Sequence, residues 1–174
     1  NPVEQVSWNE CAATLHRLDL VLPTEAQWEY GARAGTSSQW WTGDEKESLE
    51  GAGNVADSFC KKHGGSNSWV YEDWLDDGYT VHAAIGTYRA NDFGVHDTIG
   101  NVWEWCREGL GGYDLPVRAG DGERQLSDPR DRAVRGGGYN AAAVLTRSAC
   151  RNGHMPEGLN NFIGLRPARG ITGK

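Results

Sequence analysis

The sequence has little positive charge and no long apolar run. Its 17 Lys and Arg are outnumbered by 24 Asp and Glu, which gives a net charge of −7. This balance disfavours nucleic acid, whose phosphates require clustered basic side chains. Only 38% of the residues are apolar, and no window approaches the roughly 20 apolar residues of a membrane span. We therefore expect neither a nucleic-acid partner nor a membrane span.

Closely spaced cysteine pairs are also lacking. Cys11, Cys60, Cys106 and Cys150 lie far apart in the chain, so a structural zinc site is not expected. One or two disulfides remain open, because the sequence cannot assign their pairing. An initiator Met and an apolar leader are absent as well. The chain is therefore expected to be processed or to be part of a longer protein.

Glycine and tryptophan are abundant instead, with 24 and 8 residues. Glycine favours turns and irregular loops, and tryptophan supplies large rigid surfaces that hold such loops together. In residues 35–88 glycines interrupt every periodic pattern, yet Trp and Tyr are too frequent for disorder. We predict a long, ordered, irregular region that requires a metal or a disulfide. Asn54 and Asp77 are its candidate oxygen ligands.

Two helices carry clear start signals. Ser7 with Glu10, and Thr24 with Gln27, have the spacing of capping boxes. The apolar periodicity that follows predicts one helix over residues 8–18. The second box predicts another helix that runs to about Arg33 and stops at Gly35.

Residues 94–106 contain two tryptophans, two carboxylates and an asparagine around a turn. From Val102 onward the residues alternate as in a strand, with both tryptophans on one side. The turn before them carries short polar side chains, so it could direct oxygens toward Glu104 and form a hard-cation site. The other interpretation is a core strand entered through a tight turn. Further strands are predicted at residues 132–139, 147–151 and 163–166.

Four ordered motifs resemble the formylglycine-generating-enzyme family, also called the sulfatase-modifying-factor fold. They are residues 22–35, residues 93–105, residues 135–139, and Arg147 with Arg151 and residues 164–166. The resemblance implies one α+β domain over residues 1–174 with a C-type-lectin-like fold. That fold has two short helices, a small twisted antiparallel sheet and extensive irregular loops.

The family contains enzymes and non-enzymes. Its formylglycine-generating members carry two copper-binding cysteines shortly after the Arg-Gly-Gly motif, whereas residues 139–146 contain none here and Cys150 stands alone. The related sulfoxide synthases need iron-binding histidines in a separate helical domain, and the five histidines here show no paired ligand spacing. Copper and iron are therefore not expected, and the resemblance does not imply an enzyme.

A third branch, the variable proteins of diversity-generating retroelements, is more similar. Its frame residues are matched by Arg135, Arg147, Arg151, Pro156 and residues 163–166, although Leu165 replaces the usual Phe. The resemblance implies a variable ligand-binding region over about residues 133–166. We call its nine candidate contact residues the candidate face: Tyr139, Ala141, Ala143, Leu145, Cys150, Gly153, His154, Leu159 and Phe162.

The candidate face mixes small residues with Tyr, His and Phe, as binding surfaces do. The other interpretation is that residues 141–143 form a buried turn and that Leu159 and Phe162 are core. The expected function is non-enzymatic binding of a protein or glycan on a cell or particle surface. Cell-surface, secreted or virion-associated placement is favoured. The alternatives are a formylglycine-generating oxidoreductase and an inactive accessory module.

Formylglycine-generating members bind two calcium ions, and the resemblance carries over oxygen ligands for both. The first, the Asn54 set, comprises Asn54, the Val55 carbonyl, Asp77 and the Tyr79 carbonyl. The second, the Asp97 set, comprises Asp97, the Gly100 and Val102 carbonyls and Glu104. The Asp97 set is favoured because its members are close in sequence. Both ions would be structural, stabilising loops with little core of their own.

Overall fold

The structure is a computed structural model, and it describes residues 1–127 and 129–170. Its helices are α1 (Trp8–Arg17), α2 (Glu25–Arg33) and α3 (Ser58–Lys62). Its strands are β1 (Trp103–Gly109), β2 (Arg132–Arg135), β3 (Asn152–His154) and β4 (Ile163–Gly164). Two 3-10 helices lie at Lys46–Leu49 and Ala143–Thr146. No helix in the described part of the chain is both long and apolar enough to cross a membrane.

Both predicted capping boxes are present. The Glu10 amide donates to the Ser7 hydroxyl at 3.2 Å, and the Ser7 amide donates to the Glu10 carboxylate at 2.9 Å. Thr24 and Gln27 exchange the equivalent bonds at the start of α2. These bonds satisfy amides that the first helical turn leaves unpaired. Helix α2 ends at Arg33, as predicted. The left-handed C-cap is Ala34, with φ 47°, and Gly35 follows it with a positive φ of 91°.

The sheet has the order β3-β2-β1-β4. Strand β1 pairs antiparallel with β2, with Trp105 opposite Val134, and β2 pairs antiparallel with β3. Strand β4 pairs parallel with β1, with Trp103 opposite Ile163. The prediction of an entirely antiparallel sheet is therefore wrong for this pair. The chain passes through β2 and β3 before it reaches β4, and such a long connection allows a strand to return in the same direction.

The strand predicted at residues 147–151 is also wrong. The Cys150 amide donates to the Arg147 carbonyl at 2.8 Å, so the segment is a turn and β3 begins only at Asn152. Inside the irregular region, α3 is a helix that the sequence patterns did not predict. Asp57 caps it by accepting the Cys60 amide at 2.9 Å.

Strand β1 lies between two apolar layers. Trp103 and Trp105 pack with Leu15 of α1, and Cys106 on the opposite face packs with Trp28 of α2. The predicted alternation is therefore confirmed, although both faces are buried. A separate cluster holds the irregular region: Trp40, Leu49, Ala52, Ile99 and Ala143. The tryptophans thus serve both the sheet and the loops.

Candidate binding face and cation sites

Buried arginines hold the segments around the candidate face. The Arg135 side chain is 1% exposed and donates to Glu25, to Glu29 and to the Ser148 carbonyl. Arg151 donates to Glu25 through Nε at 2.7 Å. Planar guanidinium groups suit such multiple contacts because their N–H groups have fixed directions. The predicted frame role is confirmed for both. Arg147 is exposed instead, and among the described residues its side chain bonds only the nearby Val144 carbonyl.

Three members of the candidate face are buried. Tyr139, Ala141 and Ala143 are only 3%, 6% and 4% exposed, so their side chains cannot contact a partner as predicted. Backbone bonds fix this segment: the Tyr139 amide donates to the Asn101 carbonyl, and the Ala141 carbonyl accepts from the Ala56 amide. For residues 141–143 the buried-turn interpretation is correct. Small side chains are required there because the turn lies against the core.

The other six members reach the surface to different degrees. Leu145 and Leu159 are 44% and 62% exposed, and four are half-buried: Cys150, Gly153, His154 and Phe162. His154 and Phe162 have ring centroids 5.9 Å apart, and burial lowers the pKa of His154. Cys150 packs against the same apolar cluster as Phe162 and also lines a groove with Arg33 and Asp44. The structure thus brings the His154 and Phe162 rings together, and it places Cys150 partly in a separate groove.

Two aromatic residues beside Tyr139 were missing from the predicted face. The His82 ring lies edge-on to Tyr139 with centroids 4.7 Å apart, and the Trp69 ring lies 5.8 Å from it. His82 Nε2 also bonds the Asn161 carbonyl at 2.6 Å. The aromatic content of residues 35–88 indicated order there. Nothing in the local pattern indicated which distant loop these rings would contact.

The members of the Asn54 set lie together. Asp77 accepts the Val55 amide through Oδ2 and the Tyr79 amide through Oδ1, both at 2.9 Å. Asn54 is fully buried, and its Oδ1 has no hydrogen-bond partner among the described residues. A buried acceptor without a donor is unusual. An oxygen-binding cation beside it would satisfy this atom, so the donor chemistry fits calcium.

Three carboxylate side chains, those of Asp57, Asp76 and Asp77, lie close together around the Asn54 set. The pKa of Asp77 is raised to about 7, chiefly by burial and to a smaller extent by the nearby Asp57 and Asp76 carboxylates. Burial also raises the pKa of Asp57, which accepts the Asp77 amide. A bound cation would favour the ionised form of Asp77, because opposite charges lower a carboxyl pKa. The site thus has the electrostatic character of a cation site.

The Asp97 set is arranged differently. Asp97 has one oxygen bonded to the Gly86 amide at 2.7 Å and another, Oδ1, that is buried and has no partner within the described part of the chain. Both Glu104 oxygens already accept strong donors, the Trp28 indole at 2.6 Å and the Arg166 guanidinium at 2.6 and 2.8 Å. A positive guanidinium beside Glu104 opposes a second cation. The geometry therefore favours the Asn54 set, although sequence proximity favoured the Asp97 set.

No group of three or more His, Cys, Asp or Glu side chains arranged to hold a metal occurs in residues 1–127 and 129–170. Calcium sites also use amide and backbone carbonyl oxygens. The Gly100 backbone lies beside the Asn54 set, since Asn54 forms a parallel bridge to Gly100 and a Cβ at Gly100 would meet the Asn54 carbonyl oxygen. The two sets are therefore neighbours.

All four cysteines are free thiols, and three of them are buried. Burial raises the pKa of Cys11 and of Cys60 to about 11, and that of Cys106 well above its ordinary value. Burial also raises the pKa of Cys150. Thiols in this state are protonated at neutral pH, and only thiolates are effective nucleophiles and soft-metal ligands. None of the open disulfide pairings is formed.

Residues 1–171 match the sulfatase-modifying factor enzyme 1-like domain. The chain belongs to this family. It is 32% identical over 178 residues to the formylglycine-generating enzyme of Streptomyces coelicolor, covering 97% of this chain and 52% of that enzyme. It is 29% identical to the inactive C-alpha-formylglycine-generating enzyme 2 of Bos taurus, covering 97% of this chain and 50% of that protein. This sulfatase-modifying-factor domain thus spans about half the length of these relatives.

Solved structures agree with the expected fold of the sulfatase-modifying-factor domain. PvdO from Pseudomonas aeruginosa is similar at TM-score 0.79 and 23% identity, covering 98% of this chain and 62% of that one. Treponema denticola variable protein 1 is similar at TM-score 0.69 and 20% identity, covering 97% and 71%. The predicted α+β, C-type-lectin-like fold is confirmed, as is the predicted resemblance to variable proteins.

Proposed function

We propose that the domain is a non-enzymatic ligand-binding module. The observation that carries the proposal is the lack of a thiol pair in residues 139–146, where the formylglycine-generating members carry theirs. The four thiols elsewhere are free and protonated at neutral pH. An inactive member among the relatives supports the idea that this fold persists without the oxidation chemistry.

The proposed contact surface is the exposed part of the candidate face. It comprises Leu145, Leu159, Gly153, His154 and Phe162, with Tyr139, Ala141 and Ala143 as a buried floor. The exposed Val144 and Met155, at 49% and 57%, extend it. The buried arginine frame keeps the backbone in place, so surface side chains can vary without loss of the fold. This is the arrangement that a diversified variable protein requires.

The proposed partner is a protein or a glycan on the surface of a cell or particle. Exposed leucine, methionine and aromatic side chains supply the apolar contacts that such partners use. Nucleic acid is not a proposed partner, because the net charge of −7 opposes phosphate binding. A cell-surface, secreted or virion-associated location follows from the same proposal.

Calcium is proposed as a structural ion, held by the Asn54 set and, with weaker geometric support, by the Asp97 set. Asn54, Val55, Asp77 and Tyr79 would supply the oxygens of the first site. The ion would neutralise the Asp57–Asp77 pair and tie residues 54–57 to residues 77–79. The proposed function requires neither copper nor iron.

Binding is tested with the purified domain on a glycan microarray and on a panel of intact bacterial and animal cells. Leu159→Asp and Leu145→Asp are expected to abolish any specific signal, because each places a charge in the contact surface. Val70→Asp is the matched control, since Val70 is 72% exposed in another loop. If all three variants bind equally, the proposed surface is wrong.

The retroelement origin has a separate genomic test. A reverse transcriptase gene and a near-copy of the segment that encodes residues 133–166, differing at adenines, should lie beside the gene. If both are missing, the diversification proposal falls, and the binding test still decides the ligand-binding proposal.

A second candidate function is a formylglycine-generating oxidoreductase. It is favoured by the 32% identity to the Streptomyces coelicolor enzyme. Incubation with copper and a cysteine-containing sulfatase-type peptide, followed by mass spectrometry, distinguishes the two. Conversion of the peptide cysteine to formylglycine would establish the enzyme and overturn the non-enzymatic proposal.

A further inference from the structure

Three aromatic side chains are exposed around one side of α2. Tyr30 on α2, Phe93 and Tyr113 are 69%, 49% and 66% exposed. The Tyr30 and Phe93 rings contact each other, with centroids 5.3 Å apart. Tyr30 and Tyr113 line one groove of about 250 Å³, which we call the Tyr30–Tyr113 groove. Large apolar side chains that gather on a surface mark interaction sites.

The Tyr113 ring is held in place although residues 110–127 contain no helix or strand. The Arg124 and Arg151 guanidinium groups lie 4.8 and 4.6 Å from its centroid, and a cation at this distance is attracted to an aromatic face. Arg151 is itself anchored on the buried Glu25 through Nε at 2.7 Å. Tyr113 stays exposed even so, and part of its surface therefore remains free for a ligand.

The Phe93 turn is likewise fixed to α2, through the buried side chain of Asn91. Asn91 Nδ2 donates to the Gly31 and Ala32 carbonyls at 2.7 and 3.1 Å. Its Oδ1 accepts the Phe93 amide at 3.0 Å. Phe93 is thus presented beside Tyr30 by a rigid turn. Aromatic rings that are fixed before binding lose little freedom when a ligand arrives.

The charges that line the Tyr30–Tyr113 groove are balanced. Glu25 and Arg135 form its buried floor and pair with each other at 3.1 Å. Glu29 and Arg124 also line it, and their side chains are 27% and 13% exposed. One accessible acid and one accessible base favour neither an anion nor a cation. They supply an acceptor and a donor to an uncharged polar ligand.

A sugar ring matches both the aromatic and the polar features of the groove. The C–H groups on one side of a pyranose pack on the negative face of an aromatic ring. Its hydroxyl groups both donate and accept. The groove is slightly smaller than the roughly 300–1,000 Å³ of sites for drug-sized ligands, which suits a single sugar ring.

The Glu29 carboxylate favours a sugar over a proline-rich peptide, which also docks in aromatic-lined grooves. Its two oxygens each accept one guanidinium N–H, from Arg33 and from Arg135, and each can accept a further bond. Sugar hydroxyls can donate these bonds. Proline has no backbone N–H, so a proline-rich segment would cover the carboxylate without replacing the water bonded to it, which is unfavourable.

We propose that the Tyr30–Tyr113 groove binds one neutral pyranose residue of a glycan. The sugar ring packs on Tyr30 and Tyr113, Glu29 accepts one of its hydroxyls, and Arg124 donates to another. No member of the candidate face lines this groove. The site is therefore separate from the contact surface proposed above and does not depend on it.

The test is saturation-transfer difference NMR of the purified domain with four neutral probes. They are the methyl glycosides of β-glucose, β-galactose, α-mannose and N-acetyl-β-glucosamine. At least one of them should bind saturably. Decaproline is the competing probe, and saturable binding of decaproline without any glycoside would make the groove a peptide site and overturn the proposal.

Substitutions then locate the bound glycoside. Tyr30→Ala and Tyr113→Ala should each weaken its binding about tenfold or more, because each removes a ring from the site. Tyr30→Phe keeps the ring and should retain most of the binding. Since Tyr30 and Tyr113 are exposed, the melting temperatures of these variants should stay close to that of the unmodified domain.

Two controls lie outside the groove. Ile85→Ala removes a similarly exposed apolar side chain, and Leu159→Asp alters the candidate face. Both variants should bind the glycoside as the unmodified domain does. The proposal is overturned if no glycoside saturates, if Tyr30→Ala and Tyr113→Ala both bind normally, or if Leu159→Asp alone abolishes binding, which would place the sugar on the candidate face.

Discussion

The Trp28 indole N–H donates to Glu104 Oε2 across 2.6 Å and so joins α2 to β1. Both residues are buried, and Arg166 donates to the same carboxylate from the end of the chain. Three of the motifs that identify the family therefore meet at one carboxylate. A charged acceptor with buried donors is worth more than a neutral bond, so this contact is expected to contribute strongly to stability.

Replacing Trp28 with Phe removes the indole donor and part of the ring volume. We expect a loss of about 2–4 kcal/mol in the free energy of unfolding, measured by urea denaturation. Trp41→Phe is the control, since Trp41 is half-buried and its ring contacts the Arg89 guanidinium at 5.4 Å. Equal losses in both variants would show that the bond to Glu104 adds no stability.

Arg135 is the arginine on which the frame around the candidate face most depends. Arg135→Lys keeps the charge but cannot reach Glu25, Glu29 and the Ser148 carbonyl with one flexible ammonium group. We expect a loss of about 2–4 kcal/mol, whereas Arg147→Lys at an exposed site should change stability by less than about 0.5 kcal/mol. Thermal and urea unfolding of the two variants provide the comparison. A stable Arg135→Lys protein would contradict the frame role.

Local signals account for the parts of the fold that the sequence predicted. The Ser7–Glu10 and Thr24–Gln27 boxes act within one helical turn, and the alternation from Val102 reflects burial on both sides of β1. The parallel pairing of β4 could not be predicted, because it depends on where the chain returns after two other strands.

The sequence predicted that arginines hold the segments around the candidate face, but it did not predict which side chains of that face are buried. Alanines suit both a hollow on a surface and a buried turn, and only the cluster around Ala143 decides between them. The resemblance to the family predicted that Asp77 lies close to Asn54. The hydrogen bond from the Val55 amide to Asp77 supports this prediction, because Val55 follows Asn54 in the chain. Glu104 could not be recognised as the partner of Arg166, since the two are far apart in the sequence.

Glu108 is expected to make the stability of the domain depend on pH. It is buried and accepts the Glu25 amide at the start of α2, and burial raises its pKa to about 7 from an ordinary 4.5. The folded state therefore holds a proton that the unfolded state releases between these two values. The free energy of unfolding should fall by on the order of 3 kcal/mol as the pH rises from about 4.5 to about 7, and it should change little above that range.

Glu108→Gln tests this assignment, because glutamine keeps an acceptor for the Glu25 amide without the charge. The variant should be more stable than the unmodified domain at pH 8 and about equal at pH 5, as measured by thermal unfolding at both values. Asp77 titrates in the same window, so some slope should remain in the variant. An unchanged slope would assign the pH dependence to other groups.

Calcium should stabilise the domain through the Asn54 set. Saturating calcium is expected to raise the melting temperature and to protect residues 51–79 from limited proteolysis, because bound ligand stabilises only the folded state. The stabilisation should be larger at pH 8 than at pH 5.5. Below its pKa of about 7, Asp77 is protonated in the folded state, and calcium must then displace that proton.

Single substitutions separate the two proposed calcium sets. Asp77→Asn should lose most of the calcium response, and Asp97→Asn should lose less, since Arg166 already compensates Glu104 beside the second set. Asp73→Asn is the control, because Asp73 is exposed and paired with Lys61 at the surface. A calcium response that survives Asp77→Asn but disappears in Asp97→Asn would reverse the order that the geometry favours. No response in the unmodified domain would contradict both sets.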